Sequence, residues 1–360
     1  MHPAALIVTR CHAFAIASAL TVTSPPVLKI VPLGHNVFAA IRQEPMTLAL
    51  NANSLIVVRD SDVVVVDAQF TRAATMETIS AIRKISRKPV SYVVNTHWHD
   101  DHLAGDQVYQ DSFPGVRFVM QENTATDLVT QGTPNRKSQV EGAPPVVDRF
   151  EHLLSMGLGM DSTPATPLER SALETAIRIV RQYVEEAPGF RAVAATDTVQ
   201  RKMTLGQGPD RVELLWFGYG NTRGDLIAYL PARGIVATGD LVDAPIPLAF
   251  NSHPASWVNV LDSILALKPK VIVPGHGPVM HDLDYVRSVR DWLSRIDREA
   301  SAAVQRGDSQ DTALKAIKLD DVRQSVTKDE KWMNFLFRGF FVAPAVQAAY
   351  EEAGGKAPSS

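Results

Sequence analysis

Three histidines and two aspartates lie close together in the segment from His97 to His102. Imidazole nitrogens and carboxylate oxygens are ligands that zinc accepts, so these residue types predict a metal centre. His97 and His99 are separated by one residue, so both imidazoles can face one ion. Asp101 and His102 belong to the following turn and can face a second. This spacing predicts a site for one or two zinc ions rather than an isolated core histidine.

The elements that must position this cluster are short strands. Val90–Val94 is apolar and predicts a strand that ends just before the histidines. Met76, Ile79, Ile82 and Ile85 recur at three-residue spacing and predict a helix. Further strands are expected at 27–31, 37–42, 55–58, 63–66 and 116–120, separated by Pro, Gly, Asn and Asp. Strands that alternate with helices indicate an α/β fold.

Residues 121–197 differ in character from the strands around them. Gly132–Asn135 and Gly142–Pro145 predict loops, and an apolar stripe from Leu173 to Val184 predicts a helix that packs on the core. Strands resume at 212–217, 226–230, 235–238 and 271–273, with a helix at 257–265 before the last of them. From Asp282 to about Glu352 the pattern is helical.

The composition excludes several classes of protein. The chain has 360 residues, 36 Lys+Arg and 39 Asp+Glu, so its net charge is −3 and no basic run offers a nucleic-acid footprint. Its single cysteine can form neither an internal disulfide nor a cysteine-based zinc site. We therefore expect a small-molecule partner and no nucleic acid.

The amino terminus bears on localisation. Residues 1–24 contain an apolar stretch of about ten residues behind Arg10, which is typical of a signal peptide and too short for a membrane span of about 20 residues. A signal peptide would make the protein periplasmic or secreted. A misassigned start is the alternative and would leave it cytoplasmic. No other segment has the length of a membrane span.

Beyond these patterns, His97-x-His99-x-Asp101-His102 resembles the signature of the metallo-β-lactamase superfamily. Three further motifs occur in that family's order, and they are Val63–Asp67, Thr238–Asp240 and Pro274–Gly277. The resemblance implies an α/β four-layer αβ/βα sandwich, two sheets face to face with helices outside. We expect this domain at 25–281, with a helical and loop insertion at 121–197 and a C-terminal helical extension at 282–360.

The same resemblance implies a ligand set. One metal would be held by His97 and His99, the other by Asp101, His102 and His276, with Asp240 bridging both.

Asn221 stands where the family usually has a histidine, in Gly220-Asn221-Thr222. An amide offers only a neutral carbonyl oxygen, a weaker zinc ligand than imidazole. Three interpretations remain open: Asn221 coordinates the first metal weakly, the first site stays empty at ordinary metal levels, or the site is degenerate.

Three other residues have two interpretations each. Asp67 either orients a metal ligand, as the resemblance implies, or only caps a strand end. Tyr219 either donates a hydrogen bond to a developing oxyanion or packs as a rim aromatic. His253 either lines the substrate pocket or merely begins a helix.

The aromatic cluster near the C-terminus is expected to pack against the sandwich or a partner subunit in a homo-oligomer. Its members are Trp332, Phe335, Phe337, Phe340 and Phe341.

The expected chemistry is hydrolysis. Zinc lowers the pKa of bound water to about 7, so a hydroxide could attack a carbonyl without an amino-acid nucleophile. Asp101 and Asp240 are the candidate catalytic carboxylates, and Asp101 would orient the hydroxide. The superfamily accepts many substrates, so we expect a cyclic or activated carbonyl such as a β-lactam-like amide, a lactone or an ester. The alternatives are a glyoxalase-II-like thioester hydrolase, a mononuclear iron sulfur dioxygenase and a non-catalytic binding protein.

Overall fold

The computed structural model describes residues 27–44 and 50–355. The predicted signal peptide at 1–24 lies outside these residues. The first sheet contains seven strands, which lie in sequence order across the sheet: β1 (Leu28–Gly34), β2 (Val37–Arg42), β3 (Ser54–Val58), β4 (Val63–Val66), β5 (Val90–Val94), β6 (Arg117–Gln121) and β7 (Asp197–Val199). Strands β1 to β4 pair antiparallel, and β4 to β7 pair parallel.

The second sheet contains five strands in the order β12-β11-β10-β9-β8. Their bounds are β8 (Lys202–Leu205), β9 (Val212–Leu215), β10 (Ile227–Leu230), β11 (Ile235–Asp243) and β12 (Val271–His276). Only β11 and β12 pair parallel, and the other pairs are antiparallel. Strand β11 is longer than the sequence predicted, and Asp240 lies within it.

The two sheets pack face to face through a buried aliphatic layer. Val64 and Val94 of the first sheet and Leu214 and Ala237 of the second belong to this layer, and all four are less than a tenth exposed. β-branched residues fill such a doubly covered sheet well, which explains the continuous valine run of β4.

Helices cover the outer faces of both sheets and complete four layers. On the first sheet these are α1 (Arg72–Ile85), the one-turn α2 (Asp100–Leu103) and α3 (Asp106–Ser112). On the second sheet they are α7 (Pro254–Ala266) and α8 (Asp284–Arg306). The expected αβ/βα sandwich is confirmed.

A mostly helical segment lies between β6 and β7, and we call it the insertion. It comprises α4 (Glu122–Asp127), a π turn at Leu128–Gly132, α5 (Thr133–Ser155) and α6 (Pro167–Glu186). The prediction of loops at 132–135 and 142–145 is wrong, because the first range spans the junction of the π turn with α5 and the second lies inside α5. Pro144 and Pro145 withhold two backbone donors, a cost that the packing of α5 on α6 offsets.

Four more helices follow α8 in the described residues and share its hydrophobic core: α9 (Gln310–Ala316), α10 (Asp320–Thr327), α11 (Lys331–Leu336) and α12 (Ala343–Ala353), with a π turn at Phe337–Val342. Phe337 and Phe341 are fully buried in this core, as expected for packing against the sandwich. Among the residues described, no helix combines the length and apolarity needed to cross a bilayer.

Candidate metal centre

The candidate ligands converge at one edge of the sandwich, where strands of both sheets end. His97, His99, Asp101 and His102 follow β5, while Asp240 lies in β11 and His276 is the last residue of β12. Gly239 allows this approach, since its φ is +53° and a Cβ there would collide with the Thr96 hydroxyl. The two sheets thus deliver six polar side chains to one edge.

These side chains form two groups that share one carboxylate. Ligand atoms of Asp101, His102, Asp240 and His276 lie within 4.8 Å of one another, and so do those of His97, His99 and Asp240. The structure therefore brings together six of the seven residues predicted as metal ligands. Asp240 lies between the groups, the position expected of a bridging ligand.

The unpaired atoms of the group formed by Asp101, His102, Asp240 and His276 fit a divalent cation. The Asp101 Oδ2, His102 Nε2 and Asp240 Oδ1 atoms and both ring nitrogens of His276 are buried and have no hydrogen-bond partner among the described residues. His102 Nε2 lies 2.9 Å from Asp240 Oδ1, and His276 Nε2 lies 3.0 Å from Asp101 Oδ2. Buried polar atoms rarely stay unpaired, and a convergent set of imidazole and carboxylate atoms is satisfied by a metal ion.

Asp67 contacts His102 directly and His97 through Thr96, on the ring nitrogens that face away from the ligand groups. Its Oδ2 lies 2.8 Å from His102 Nδ1 and accepts the Thr96 hydroxyl at 2.9 Å, while Thr96 Oγ1 lies 3.0 Å from His97 Nδ1. Its Oδ1 accepts the Thr96 backbone N–H at 2.8 Å. A hydrogen bond on one ring nitrogen directs the other toward a metal. The contacts thus match both interpretations of Asp67, since it contacts His102 and also ties down the chain after β5.

The charges in the cluster keep the carboxylates ionised. Burial alone would raise the pKa of Asp240, but His102, His97 and His276 outweigh it and hold that pKa well below its usual value. Burial opposes the charged form of His102 as well, yet Asp240, Asp67 and Asp101 raise its pKa well above the usual range. For His99, burial and then the neighbouring His97 lower the pKa to about 4. Ionised carboxylates and a neutral His99 are the states that metal binding requires, whereas His102 must give up a proton when a metal binds.

Two predicted site residues lie apart from the ligand groups. His253 begins α7, and its Nδ1 lies 3.1 Å from Glu352 Oε1 in α12, as the helix-entry interpretation expects. Tyr219 is 38% exposed and packs against Trp216 and His253.

One neighbour of the ligands was not found from the sequence. Asn251 Oδ1 lies 3.3 Å from His99 Nε2, on the side of the ring opposite His97, whose Nε2 is 2.9 Å from His99 Nδ1. An acceptor there favours the His99 tautomer that leaves Nδ1 free for a metal. More than 100 residues separate the pair in sequence and no motif links them, so the sequence carried no signal for this contact.

A cavity of ≈ 750 Å³ leads to the ligand groups. His99, Asp101 and Asp240 lie at its polar end, and Asn251 also lines it. Its walls are mainly apolar and come from the loop before α1, α5, α6, the segment after β11, the π turn at Phe337–Val342 and α12. They include Phe70, Val146, Val180, Leu248, Phe250, Phe340 and Ala348. Among the described residues, neither Tyr219 nor His253 belongs to the lining, and no lysine or arginine does.

The family model of the metallo-β-lactamase superfamily matches residues 48–276, more than half of the chain. This chain belongs to the metallo-β-lactamase superfamily. The matched residues begin just before β3 and end at His276, the last candidate ligand. They include the whole ligand set, while α8 to α12 follow the match.

Solved structures of the superfamily share the fold. A metallo-β-lactamase from Pontibacter korlensis is 20% identical with a TM-score of 0.52, and covers 74% of this chain and 99% of its own. The metallo-β-lactamase FIM-1 from Pseudomonas aeruginosa, in its mono-zinc form, is 15% identical with a TM-score of 0.51, and covers 74% and 95%. At these identities the similarity establishes the fold alone.

One curated relative is named as a sulfatase and not as a β-lactamase. The linear primary-alkylsulfatase of Pseudomonas sp. (strain ATCC 19151) is 24% identical over 279 residues, 71% of this chain and 48% of the relative. The chain thus spans about half the length of the curated relative that it matches. Metal-dependent hydrolysis is the activity that these relatives support at the family level.

Asn221 is the residue at which the sequence predicts a departure from the family's usual histidine. It is fully buried between β9 and β10, and both of its amide atoms lack a partner among the described residues. We expect Asn221→His to raise zinc content at the His97 and His99 group, because imidazole is the stronger ligand. Zinc per chain, measured by mass spectrometry on both proteins after equal zinc supplementation, checks this. Equal zinc content in the two proteins would contradict it.

Proposed function

We propose that the protein is a zinc-dependent hydrolase of a small-molecule ester or lactone with an apolar body. The observation that carries this proposal is the placement of both ligand groups at the end of a largely apolar cavity. Such a cavity can bind an apolar group through the hydrophobic effect while a few polar groups at one end fix its orientation.

The residues of this chain would divide the work of hydrolysis. Asp101, His102, Asp240 and His276 would hold one zinc ion, and His97 and His99 with Asp240 a second. Zinc bound at such a site polarises a carbonyl and lowers the pKa of water to about 7. The ionised Asp101, whose Oδ2 lies 3.0 Å from His276 Nε2, can accept a proton from water and return it to the leaving group.

The lining of the cavity favours a substrate without a net charge. The charged side chains within it are Asp100, Asp101 and Asp240, and all three are acidic. An anionic substrate group away from the metal ions would be buried there without a cationic partner, which is costly. A neutral carboxylic ester or lactone avoids this cost. A β-lactam carboxylate does not.

Hydrolysis of an alkyl sulfate ester is the second candidate, and the alkylsulfatase relative favours it. An alkyl chain fits the apolar walls, and the sulfate would then depend on the metal ions alone for its charge.

The two candidates are separated by one panel of substrates. Zinc-loaded protein is assayed with p-nitrophenyl esters and lactones of increasing acyl length, with alkyl sulfates of matched length and with a chromogenic β-lactam. We expect kcat/KM to rise with acyl length for the esters. Turnover confined to alkyl sulfates would establish the second candidate, and turnover confined to the β-lactam would contradict both.

A substitution in the wall tests the role of the cavity. Val146 on α5 lines it and is 44% exposed, so tryptophan can replace it without strain in a tight core. We expect Val146→Trp to lower kcat/KM for long esters by about tenfold, equivalent to losing about 1.4 kcal/mol of apolar contact, and to spare short ones. Val129→Trp is the matched control, since Val129 is 68% exposed and lies outside the lining.

Metal content distinguishes this proposal from the other chemistries. About two zinc ions per chain after purification and zinc supplementation would support a dinuclear hydrolase, and one zinc a mononuclear one. A single tightly held iron would instead support the oxidative alternative. A protein that retains no metal would be a non-catalytic binding protein.

A further inference from the structure

The two long helices of the insertion, α5 and α6, contact the segment that carries His99 and Asp101 through the side chain of Asp100. This residue stands between His99 and Asp101 in sequence and is only 7% exposed. Its Oδ2 accepts hydrogen bonds from Arg136 Nε at 2.8 Å and from Tyr183 Oη at 2.5 Å. Its Oδ1 pairs with Arg136 Nη2. A carboxylate held by three donors has little freedom to turn.

The two donor residues are themselves held on their far sides. Arg136 on α5 lies with its Cζ 3.0 Å from the centroid of the Phe190 ring, just after α6. Tyr183 on α6 stacks on Phe70 at 4.1 Å between ring centroids. Both long helices of the insertion therefore contribute to a single buried contact, and that contact ends on the backbone that carries two ligands.

We propose that Asp100 is a positioning residue that couples docking of the insertion to metal binding. With Asp100 held, the backbone on either side of it keeps His99 and Asp101 in the ligand positions. Coupling free energies are reciprocal, so zinc that selects this position also stabilises the docked insertion. The proposal rests on the metal site of the proposed function and not on its substrate.

Removing the guanidinium should weaken zinc binding without removing a ligand. In Arg136→Met the Asp100 carboxylate keeps only the Tyr183 hydroxyl and can rotate away from its present position. Loss of a group that orients ligands costs 10–100-fold in metal affinity, so we expect a zinc Kd about tenfold higher. Tyr183→Phe removes one of three hydrogen bonds and is expected to have a smaller effect in the same direction.

The test uses the full chain and two measurements that do not depend on turnover. Zinc affinity is measured by competition with a chromophoric chelator, and docking by limited proteolysis of the insertion with and without zinc. Arg181→Met is the matched control, because Arg181 pairs with Glu151 inside the insertion, is 58% exposed and does not contact Asp100. We expect zinc to slow cleavage in wild-type protein and Arg181→Met, and to do so much less in Arg136→Met.

Several outcomes would overturn the proposal. Unchanged zinc affinity in Arg136→Met, or equal protection by zinc in all variants, would show that the insertion and the metal are independent. If Arg136→Met does not fold, the same comparison with Tyr183→Phe decides. Wild-type protein that hydrolyses no ester yet shows zinc-dependent protection would contradict the proposed substrate and support the coupling. Absence of zinc binding by wild-type protein would contradict both.

Discussion

Replacing Asp240 with alanine is expected to remove zinc from both ligand groups and to abolish hydrolysis. Asp240 is the one residue common to the two groups, with Oδ1 2.9 Å from His102 and Oδ2 3.5 Å from His97. Without its carboxylate each group loses an anionic ligand. Because a metal ion contributes several kcal/mol to transition-state stabilisation, we expect kcat/KM to fall by at least about 10³-fold.

The measurement is zinc per chain together with ester hydrolysis, compared with His253→Ala. His253 contacts Glu352 and lies outside the cavity lining, so its substitution should leave zinc content intact and reduce activity far less. Equal losses in the two variants would mean that His253 belongs to the site. Full zinc content in Asp240→Ala would contradict the bridging role.

Asp67→Asn is expected to lower zinc affinity by about 10–100-fold, although Asp67 is not itself a candidate ligand. Asp67 serves His102 and the Thr96 hydroxyl through one oxygen and the Thr96 backbone N–H through the other. Asparagine can accept hydrogen bonds through one oxygen only, and its NH2 group would face a donor. The substitution would then cost either the contacts to His102 and to the Thr96 hydroxyl, which itself contacts His97, or the contact to the Thr96 backbone N–H.

A chelator competition on Asp67→Asn measures this loss, with Asp329→Asn as the control. Asp329 also has a positive φ, of 59°, and pairs with Arg323 on the surface, so its substitution makes the same chemical change far from the metal centre. Similar zinc affinity in Asp67→Asn and wild-type protein would leave Asp67 as a strand-end cap only.

The ligand turn was predictable because its residues are neighbours in sequence. A strand followed by His97, His99, Asp101 and His102 has few arrangements in which the polar side chains do not meet. Asp240 and His276 could be added through their motifs, since the resemblance gave them an order and a strand end. The four-layer fold followed from the same motifs and was confirmed.

The contacts that were not predicted join residues far apart in the chain. Asn251 meets His99, and Arg136 and Tyr183 meet Asp100, only after helices of the insertion and the segment after β11 have packed. Prediction from local composition also failed in α5, where Gly142–Pro145 has the composition of a loop but forms part of the helix. Tertiary packing outweighs local propensity in such a segment.

Phe340 shows the same limit in the C-terminal aromatic cluster. Trp332, Phe337 and Phe341 pack in the core as expected, and Phe340 packs against that core but also lines the cavity near the metal-ligand groups. Aromatic spacing along a helix does not distinguish a core face from a cavity wall, because both are apolar.

The polar end of the cavity and its apolar walls come from different parts of the fold, and this separation bears on how new substrate specificities could evolve. The candidate ligands come from the sandwich, whereas Val146, Val180 and Ala348 come from helices that contribute no ligand. Substitutions in those helices can reshape the space for a substrate while the reacting groups stay unchanged. Single substitutions at these wall positions of α5, α6 and α12 could therefore change which substrate the protein accepts, while the metal ligands and the activity that depends on them are kept.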